Sequence, residues 1–334
     1  MHVVSEQDWK RSIVRSWNEV QGFWVNRKVM VTGAAGFLGS HLCHQLSQAG
    51  AILTCIDDLS GSAGPIDNTL QSHHVLPYKI EDSEFCALVS NNVFDVIFHL
   101  AGEAYAAKSV TDPLLDFESN LRASVYFLDS LRRGNFHGHL VYTSSAAVYG
   151  EPKTLPITED TPPSPISPYG VSKLSSEHYI RTYSQLFNFG ALISRLFSLY
   201  GPGQRKQVVF DITRKALQFA GQIELLGHGT EVRDFLYVED AAAALMYLAS
   251  LTSQNSGIYN VCSGQGISIR RLAEMIIQIL GEDIKRLHFT DRRRPGDPVA
   301  WIGSNQLLTH MGFRPKFDFS RGLELTVDWY RKYL

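Results

Sequence analysis

The chain has 334 residues, of which 44% are apolar, and its formal net charge is −2 with no basic block. This length allows a large core in two domains or in one domain with a lobe, and the charge argues against a nucleic-acid partner. The apolar runs are short and interrupted, which predicts neither a membrane span nor a secretory signal. The four cysteines lack metal-ligand spacing, which predicts no metal site and a reduced, cytoplasmic protein.

The first 26 residues are predicted to form a helical extension of the main body. Trp9, Ile13, Val14 and Trp17 recur at helical spacing. We interpret this pattern as a helix that packs on the rest of the chain rather than as a binding site for a partner.

Strands and helices are predicted to alternate over 27–195. Apolar runs indicate strands at 28–31, 52–56, 75–80, 93–100 and 140–144, and helical patterns occur at 40–49 and 112–133. Such alternation is typical of an α/β fold with a Rossmann-type, doubly wound parallel sheet.

The pattern changes after about residue 195. Pro- and Gly-rich loops occur there with shorter helices such as 269–280. We therefore predict that 196–334 form mainly a smaller substrate-binding lobe over the carboxyl ends of the strands, with some segments returning to the sheet.

A glycine-rich turn follows the first predicted strand. The sequence TGAAGFLG occupies 32–39 and places Gly33, Gly36 and Gly39 between a strand and a helix. Glycines at such a turn let the backbone approach a pyrophosphate, and the helix N-terminus favours its negative charge. The turn therefore predicts a dinucleotide-binding site.

Two acids end the second predicted strand and indicate which dinucleotide binds. Asp57 or Asp58 can accept hydrogen bonds from the adenosine ribose and repel a 2′-phosphate. The loop that follows, with Ser60, has no arginine to hold such a phosphate. NAD is therefore predicted over NADP; the alternative is an Asp-Asp turn cap.

A tyrosine and a lysine stand four residues apart after a helix start signal. Ser167 and Pro168 suit the first turn of a helix, and this helix would bring Tyr169 and Lys173 onto one face. The Lys173 ammonium and a positive nicotinamide would both favour the Tyr169 phenolate, so we expect its pKa to fall. Tyr169 would then act as the base for a substrate hydroxyl, and Lys173 would also hold the nicotinamide ribose. The alternative is an ordinary helix surface.

A hydroxyl-rich strand end precedes this helix in the sequence VYTSSAAVYG at 141–150. We predict that Ser145 hydrogen-bonds the reacting alcohol and the carbonyl that it becomes. The alternative for Ser145 is a capped turn.

These elements together resemble the extended short-chain dehydrogenase/reductase family, and within it the NAD-dependent nucleotide-sugar epimerases and dehydratases. The resemblance covers 28–333 and also includes the sequences HLAG at 99–102, SPYGVSK at 167–173, RLFSLYGPG at 195–203, EVRDFLYVEDAA at 231–242, NVCSG at 260–264 and RRRPGDP at 292–298.

The resemblance extends the predicted cofactor groove. Beyond the three glycines, the two acids, Tyr169 and Lys173, it is expected to include Phe37, Leu38, Ser60, Ile80, Leu100, Ala101, Gly102, Asn120 and Thr143. The family acid after the third strand is replaced by Lys79, so the Ile80 backbone or Asp82 is expected to contact the adenine.

The resemblance also implies substrate contacts. Arg233 and Arg294 match arginines that grip the nucleotide diphosphate, although a surface ion pair is the alternative for each. Ser198 replaces a family asparagine that contacts substrate, and Arg205 lies in a basic segment that suits a phosphate or a sugar carboxylate. Glu103 either faces the sugar together with Ser145 or is an ordinary loop acid.

The residues after Ser145 indicate which reaction follows oxidation at C4. The dehydratases of this family carry an acid pair there, and the decarboxylases carry a glutamate, whereas this chain has Ala146 and Ala147. We therefore predict a 4-epimerase that acts through a transient 4-keto sugar, on a UDP-hexose or a UDP-uronate. The alternatives are a dehydratase, decarboxylase or 4-ketoreductase of the same family, or a non-catalytic NAD sensor. The helices at 112–133 and 169–187 look apolar on more than one side. The resemblance implies that they form a dimeric four-helix bundle, and we therefore predict a homodimer; the alternative is complete burial of these helices within one subunit.

Overall fold

A computed structural model describes residues 15–61, 74–251, 257–292 and 296–334. Its strands, in chain order, are β1 (Lys28–Thr32), β2 (Ile52–Ile56), β3 (Val75–Leu76), β4 (Val96–His99), β5 (His139–Ser145), β6 (Gly190–Leu196), β7 (Ser198–Tyr200), β8 (Ile223–Leu225), β9 (Val232–Tyr237), β10 (Gly257–Val261), β11 (Gly266–Ser268), β12 (Leu287–Phe289) and β13 (Ala300–Trp301).

The helices, in the same ranges and in chain order, are α1 (Trp17–Trp24), α2 (Phe37–Gln48), α3 (Ser83–Asn91), α4 (Ala106–Thr111), α5 (Pro113–Asp116), α6 (Ala123–Arg133), α7 (Pro168–Phe187), α8 (Gln207–Gln218), α9 (Val238–Leu251), α10 (Ile269–Leu280), α11 (Gln306–His310) and α12 (Phe319–Tyr333). None of these described helices is long and apolar enough to cross a lipid bilayer.

The main sheet is parallel throughout the described residues and has the order β10-β6-β5-β4-β1-β2-β3. The chain reverses direction across the sheet beside β1, which pairs with β2 on one side and with β4 on the other. Ligands of such sheets bind at this reversal, outside the carboxyl ends of the strands. The doubly wound Rossmann-type α/β fold is therefore confirmed.

Both faces of the sheet are covered by apolar side chains. Helices α2 and α9 pack on one face over a core that includes Val29, Val31 and Leu245, while α3, α6 and α7 cover the other face over Met30 and Ile97. All five side chains are 0% exposed. Because both faces of these strands are buried, their sequences are continuous apolar runs.

Smaller sheets follow residue 196. We call these sheets, with the helices packed on them, the lobe. Strand β9 lies between β11 and β13 and also pairs with β7, and β8 pairs with β12. Its separate core gathers residues of α8, α10 and α12 against β9. Strand β10 leaves the lobe and completes the edge of the main sheet beside β6.

The structure corrects three predicted elements. The predicted strand at 75–80 ends at Leu76, because Pro77 has no N–H to donate and the N–H of Lys79 binds Asp82 instead. The strand predicted at 93–100 is only Val96–His99. The helix predicted at 112–133 is a succession of α5, a π-helical segment Phe117–Arg122 and α6.

Helix α1 belongs to the predicted N-terminal extension. Its Val20 and Trp24 are fully buried, and the Trp24 ring lies 5.8 Å from that of Phe98 in β4. Val20 and Trp24 therefore support the packing interpretation, whereas Trp17, which belonged to the predicted pattern, is 41% exposed. The calls on Trp9, Ile13 and Val14 fall outside the described residues.

Candidate active site

A cavity of about 1340 Å³ lies between the carboxyl ends of the main sheet and the lobe. Most of the residues predicted for the site from sequence line it: Gly33, Gly36, Phe37, Leu38, Gly39, Asp57, Asp58, Ser60, Ile80, Leu100, Ala101, Gly102, Glu103, Thr143, Ser145, Tyr169, Lys173, Ser198, Arg205 and Arg233. The predicted site residue Arg294 falls outside the described residues.

The glycine turn is shaped for close approach by a ligand. Gly33 has φ +72°, and a Cβ on it would lie 2.8 Å from the backbone nitrogen of Ala101. A Cβ on Gly39 would lie 2.0 Å from the carbonyl oxygen of Gly33, so that position excludes any side chain. The cradle thus opens onto the N-terminus of α2, which fits a dinucleotide pyrophosphate.

Asp57 combines two roles at the end of β2. Its Oδ2 accepts a hydrogen bond from the Ala35 N–H at 2.9 Å, and its Oδ1 accepts from the Leu59 N–H at 2.8 Å. Burial is the largest influence on this carboxyl and raises its pKa. Asp58 instead accepts from the N–H and hydroxyl of Ser60. Asp57 therefore fixes the glycine turn while it faces the cavity.

Asn120 differs from the other predicted cofactor residues because it lies behind the cavity wall. It is 1% exposed, and its amide nitrogen donates to the Glu103 carbonyl oxygen at 3.1 Å and to Asp116 Oδ1 at 2.9 Å. The Asp116 Oδ2 accepts in turn from the Ser172 hydroxyl at 2.7 Å. Asn120 thus ties the loop that carries Glu103 to helix α7.

Helix α7 brings Tyr169 and Lys173 to the cavity. The Ser167 side chain caps its first turn, Pro168 follows, and the N–H of Tyr169 donates to Ser109 Oγ at 3.1 Å. The ammonium nitrogen of Lys173 lies 5.9 Å from the Tyr169 ring centroid and donates to the Thr143 carbonyl oxygen at 3.1 Å. The predicted common face of the helix is thereby confirmed.

Burial acts against the fall in the pKa of Tyr169 that was predicted from Lys173 and a positive nicotinamide together. Burial, the largest influence, raises the pKa of Tyr169, and the Lys173 ammonium offsets only part of that effect. Burial likewise lowers the pKa of Lys173. The sequence argument missed this because it considered charges without desolvation. A lowered pKa for Tyr169 requires the positive charge of an oxidised nicotinamide in addition.

Ser145 lies at the end of β5, where it meets the tyrosine. Hydrogen bonding with Ser145 favours the Tyr169 phenolate, and Ser145 Oγ also accepts from the Ala147 N–H at 3.2 Å. Ser145 therefore caps the turn that follows β5 and also hydrogen-bonds Tyr169.

The far end of the cavity contains a constrained arginine. Arg233 is 7% exposed, and its Nη2 lies 2.6 Å from Asp297 Oδ1, while its guanidinium carbon lies 5.6 Å from the Trp301 ring centroid. An ion pair of this kind was the alternative considered for Arg233, yet the residue also lines the cavity. Its Nη1 donates to the Val232 and Val299 carbonyl oxygens and its Nη2 to Asp297, so three of its five N–H donors already have protein partners.

Two lysines were missed by sequence reasoning. Lys108 and Lys206 both line the cavity, and their ammonium nitrogens lie 3.1 Å and 2.8 Å from the two oxygens of Glu103. In the sequence, Lys206 stood out only as part of a basic segment, and Lys108 belonged to no motif. Their meeting with Glu103 depends on the fold, since Lys206 is 103 residues away along the chain.

The cavity, the glycine turn and the Tyr169–Lys173 pair agree with comparisons with known proteins. A profile described as the NAD dependent epimerase/dehydratase family matches residues 29–262. The chain belongs to this family. One family relative, the UDP-glucose 4-epimerase of Azospirillum brasilense, is 30% identical over 91% of this chain and 92% of its own.

Solved structures in the family resemble the whole described fold. The UDP-glucose 4-epimerase of Thermotoga maritima with UDP-glucose has a TM-score of 0.83 and 29% identity, covering 91% of this chain and 99% of its own. The UDP-glucuronic acid 4-epimerase of Bacillus cereus, with UDP-glucuronic acid and NAD, has a TM-score of 0.82 and 27% identity, covering 92% and 100%. NAD is the cofactor of this family.

Proposed function

We propose that the protein is an NAD-dependent nucleotide-sugar 4-epimerase that acts on a UDP-hexose or a UDP-uronate through a transient 4-keto sugar. The observation that carries the proposal is the common cavity of the glycine turn, Tyr169, Lys173 and Ser145. Relatives and solved structures named as UDP-sugar 4-epimerases support the same reaction.

The residues after Ser145 favour epimerisation over elimination. Ala146 and Ala147 form the start of a 3₁₀ turn and are 1% and 3% exposed, and Ala147 lines the cavity. Neither methyl group can protonate a leaving hydroxyl or remove a proton from C5, which a 4,6-dehydration requires. A 4-epimerisation needs only hydride and proton transfer at C4.

Tyr169 would take the C4 hydroxyl proton and later return it. Ser145 would hydrogen-bond the same oxygen, first as an alcohol and then as a carbonyl. Lys173 keeps a positive charge beside the phenol and is steadied by the Thr143 carbonyl. NAD, when bound against Gly33 and Asp57, would accept the C4 hydride and give it back to the opposite face of the keto sugar.

The reaction is tested with purified protein, NAD and a panel of UDP-, GDP-, CDP- and dTDP-sugars, with products resolved by mass and NMR. We expect a product of unchanged mass with inverted C4 and no net NADH. A product lighter by water or CO₂, or stoichiometric consumption of reduced cofactor, would contradict the proposal.

We further infer a homodimer, supported by apolar side chains exposed on two neighbouring helical segments. Leu114 is 76% exposed and Phe117 45%, and on α7 Val171 is 51% and Leu186 68% exposed. Exposed apolar side chains on neighbouring helices favour an association surface. All four cysteines are free thiols, which supports a reducing cytoplasm as the location.

A further inference from the structure

The Glu103 carboxylate holds a defined place in the cavity wall. It follows Gly102 directly, its side chain is 20% exposed, and its two oxygens each face one ammonium group, Lys108 at 3.1 Å and Lys206 at 2.8 Å. The Glu103 carbonyl is fixed from behind by the Asn120 amide. Two ammonium groups therefore hold the Glu103 carboxylate, and a buried amide holds its backbone.

This carboxyl group is ionised at neutral pH. Burial alone raises its pKa, but hydrogen bonds and charge interactions with Lys206 and Lys108 outweigh burial and hold the pKa of Glu103 below its usual value. A carboxylate has about four lone-pair sites on its two oxygens. With one lysine on each oxygen, Glu103 retains acceptor capacity for ligand hydroxyls.

The charge of Glu103 has opposite consequences for two kinds of sugar. A neutral hexose offers hydroxyl donors, which an ionised carboxylate accepts strongly. A uronate brings a second negative charge into the same cavity, where like charges repel more than they do in bulk water. Glu103, Lys108 and Lys206 together carry one net positive charge, so Glu103 is the member of this group that weakens its attraction for a uronate.

We propose that Glu103, held by Lys108 and Lys206, is a specificity-determining residue that shifts the preference of the site away from UDP-uronates and toward neutral UDP-hexoses. This proposal rests on the proposed 4-epimerase function and selects between the two substrate classes named there. The lysines are integral to it, because each one neutralises part of the charge that a uronate would meet.

The test compares the wild-type protein, Glu103→Gln and Lys206→Met with UDP-glucose and UDP-glucuronate. The measured quantity is the ratio of kcat/KM for the two sugars, accompanied by the ratio of their dissociation constants in the presence of NAD. The wild-type ratios are the reference. Glu103→Gln should move both ratios toward UDP-glucuronate by about tenfold, which corresponds to about 1.4 kcal/mol.

Lys206→Met should move the ratios in the other direction, because Glu103 then keeps more of its negative charge. If the contact between Glu103 and Lys206 were only structural, both substitutions would lower kcat/KM equally for the two sugars. The ratios would then stay unchanged. Glu81→Gln is the matched control, since it removes the same charge from the cavity wall beside Ile80. It should leave the ratios unchanged.

An unchanged ratio in Glu103→Gln, or shifts in the same direction for both variants, would overturn the specificity proposal. Absence of any 4-epimerisation by the wild-type protein, with the expected binding ratios intact, would overturn the proposed function and leave the specificity role standing. The binding measurement therefore separates the two failures.

Discussion

Glu177 and Arg195 form an ion pair that is almost completely buried behind the strand end that carries Ser145. Their side chains are 2% and 3% exposed, and Arg195 Nη2 and Nε lie 2.7 Å and 3.0 Å from the two carboxylate oxygens. Glu177 also accepts a short hydrogen bond from the Ser144 hydroxyl. Glu177 lies one helical turn after Lys173, so the pair joins α7, β5 and β6 directly beneath the site.

Glu177→Ala should therefore destabilise the protein strongly. The change leaves the guanidinium of Arg195 buried without its counter-ion, and removing one partner of a buried pair costs about 3–5 kcal/mol. Urea unfolding measures the loss. Asp328→Ala breaks the exposed pair with Arg331 and should change stability little. Equal effects of the two substitutions would show that burial does not decide the contribution of the Glu177 pair.

Tyr169→Phe should lower kcat by about 10²–10⁴-fold, because the phenol is the proton acceptor for the C4 hydroxyl. NAD affinity should remain close to wild type, since the ring is retained and only the hydroxyl is lost. Single-turnover NADH absorbance and NAD titration measure the two quantities. Tyr333→Phe, at an exposed ring in α12, serves as the control. Normal turnover by Tyr169→Phe would exclude this residue as the base.

Asp57→Asn should weaken NAD binding. The ratio of the dissociation constants for NADP and NAD should fall about tenfold, which corresponds to about 1.4 kcal/mol. The carboxylate that repels a 2′-phosphate is lost, and its acceptance from the Ala35 N–H is weakened. Asp58→Asn is the matched comparison, because its contacts stay within the Ser60 loop. Calorimetric titration with both dinucleotides checks the result. A larger effect of Asp58→Asn would reassign the ribose contact.

Glu159 should make stability depend on pH. Burial is the main cause that raises its pKa from the ordinary 4.5 to about 7 in the folded protein. The unfolded chain therefore releases this proton first, and the free energy of unfolding should fall as pH rises from about 4.5 to about 7 and then level off. Glu159 should account for about 3 kcal/mol of this decrease in the free energy of unfolding.

Glu159→Gln should remove that part of the pH dependence in urea unfolding curves. Asp234, whose burial raises its pKa to about 6, contributes a similar slope that remains in the variant. The difference between wild type and variant therefore isolates Glu159. A variant with the full wild-type slope would assign the whole effect elsewhere.

Leu186→Lys should convert the proposed homodimer to a monomer, because a charge placed within an apolar contact is costly to bury. Light scattering at micromolar concentration measures the mass. Val93→Lys changes a residue that is 76% exposed outside this face and should leave the mass unchanged. A wild-type monomer would contradict the proposed assembly at once.

The sequence was sufficient where one local pattern decides the structure. The glycines of the turn at 33–39 and the Ser167-Pro168 helix start fix backbone geometry within a few residues, so both were predicted with their positions. The apolar runs predicted the parallel sheet, because buried strands need continuous apolar side chains.

What the sequence could not supply are contacts between distant segments and the cost of desolvation. The pairing of Glu103 with Lys206 arises only when the lobe loop crosses the cavity. The raised pKa of Tyr169 depends on how deeply the ring is buried, which a spacing of four residues does not reveal. The break at Leu76 depends on Pro77, a signal that was present in the sequence but was given too little weight.

The position of β10 beside β6 has a consequence for how the chain is made. Residues 190–196 are translated long before 257–261, so a nascent chain presents an unpaired strand edge while the lobe is still being synthesised. The main sheet is therefore complete only after residue 261 has been synthesised. A gene fragment cut at the apparent boundary near residue 195 would encode an open-edged, aggregation-prone product rather than an autonomous module.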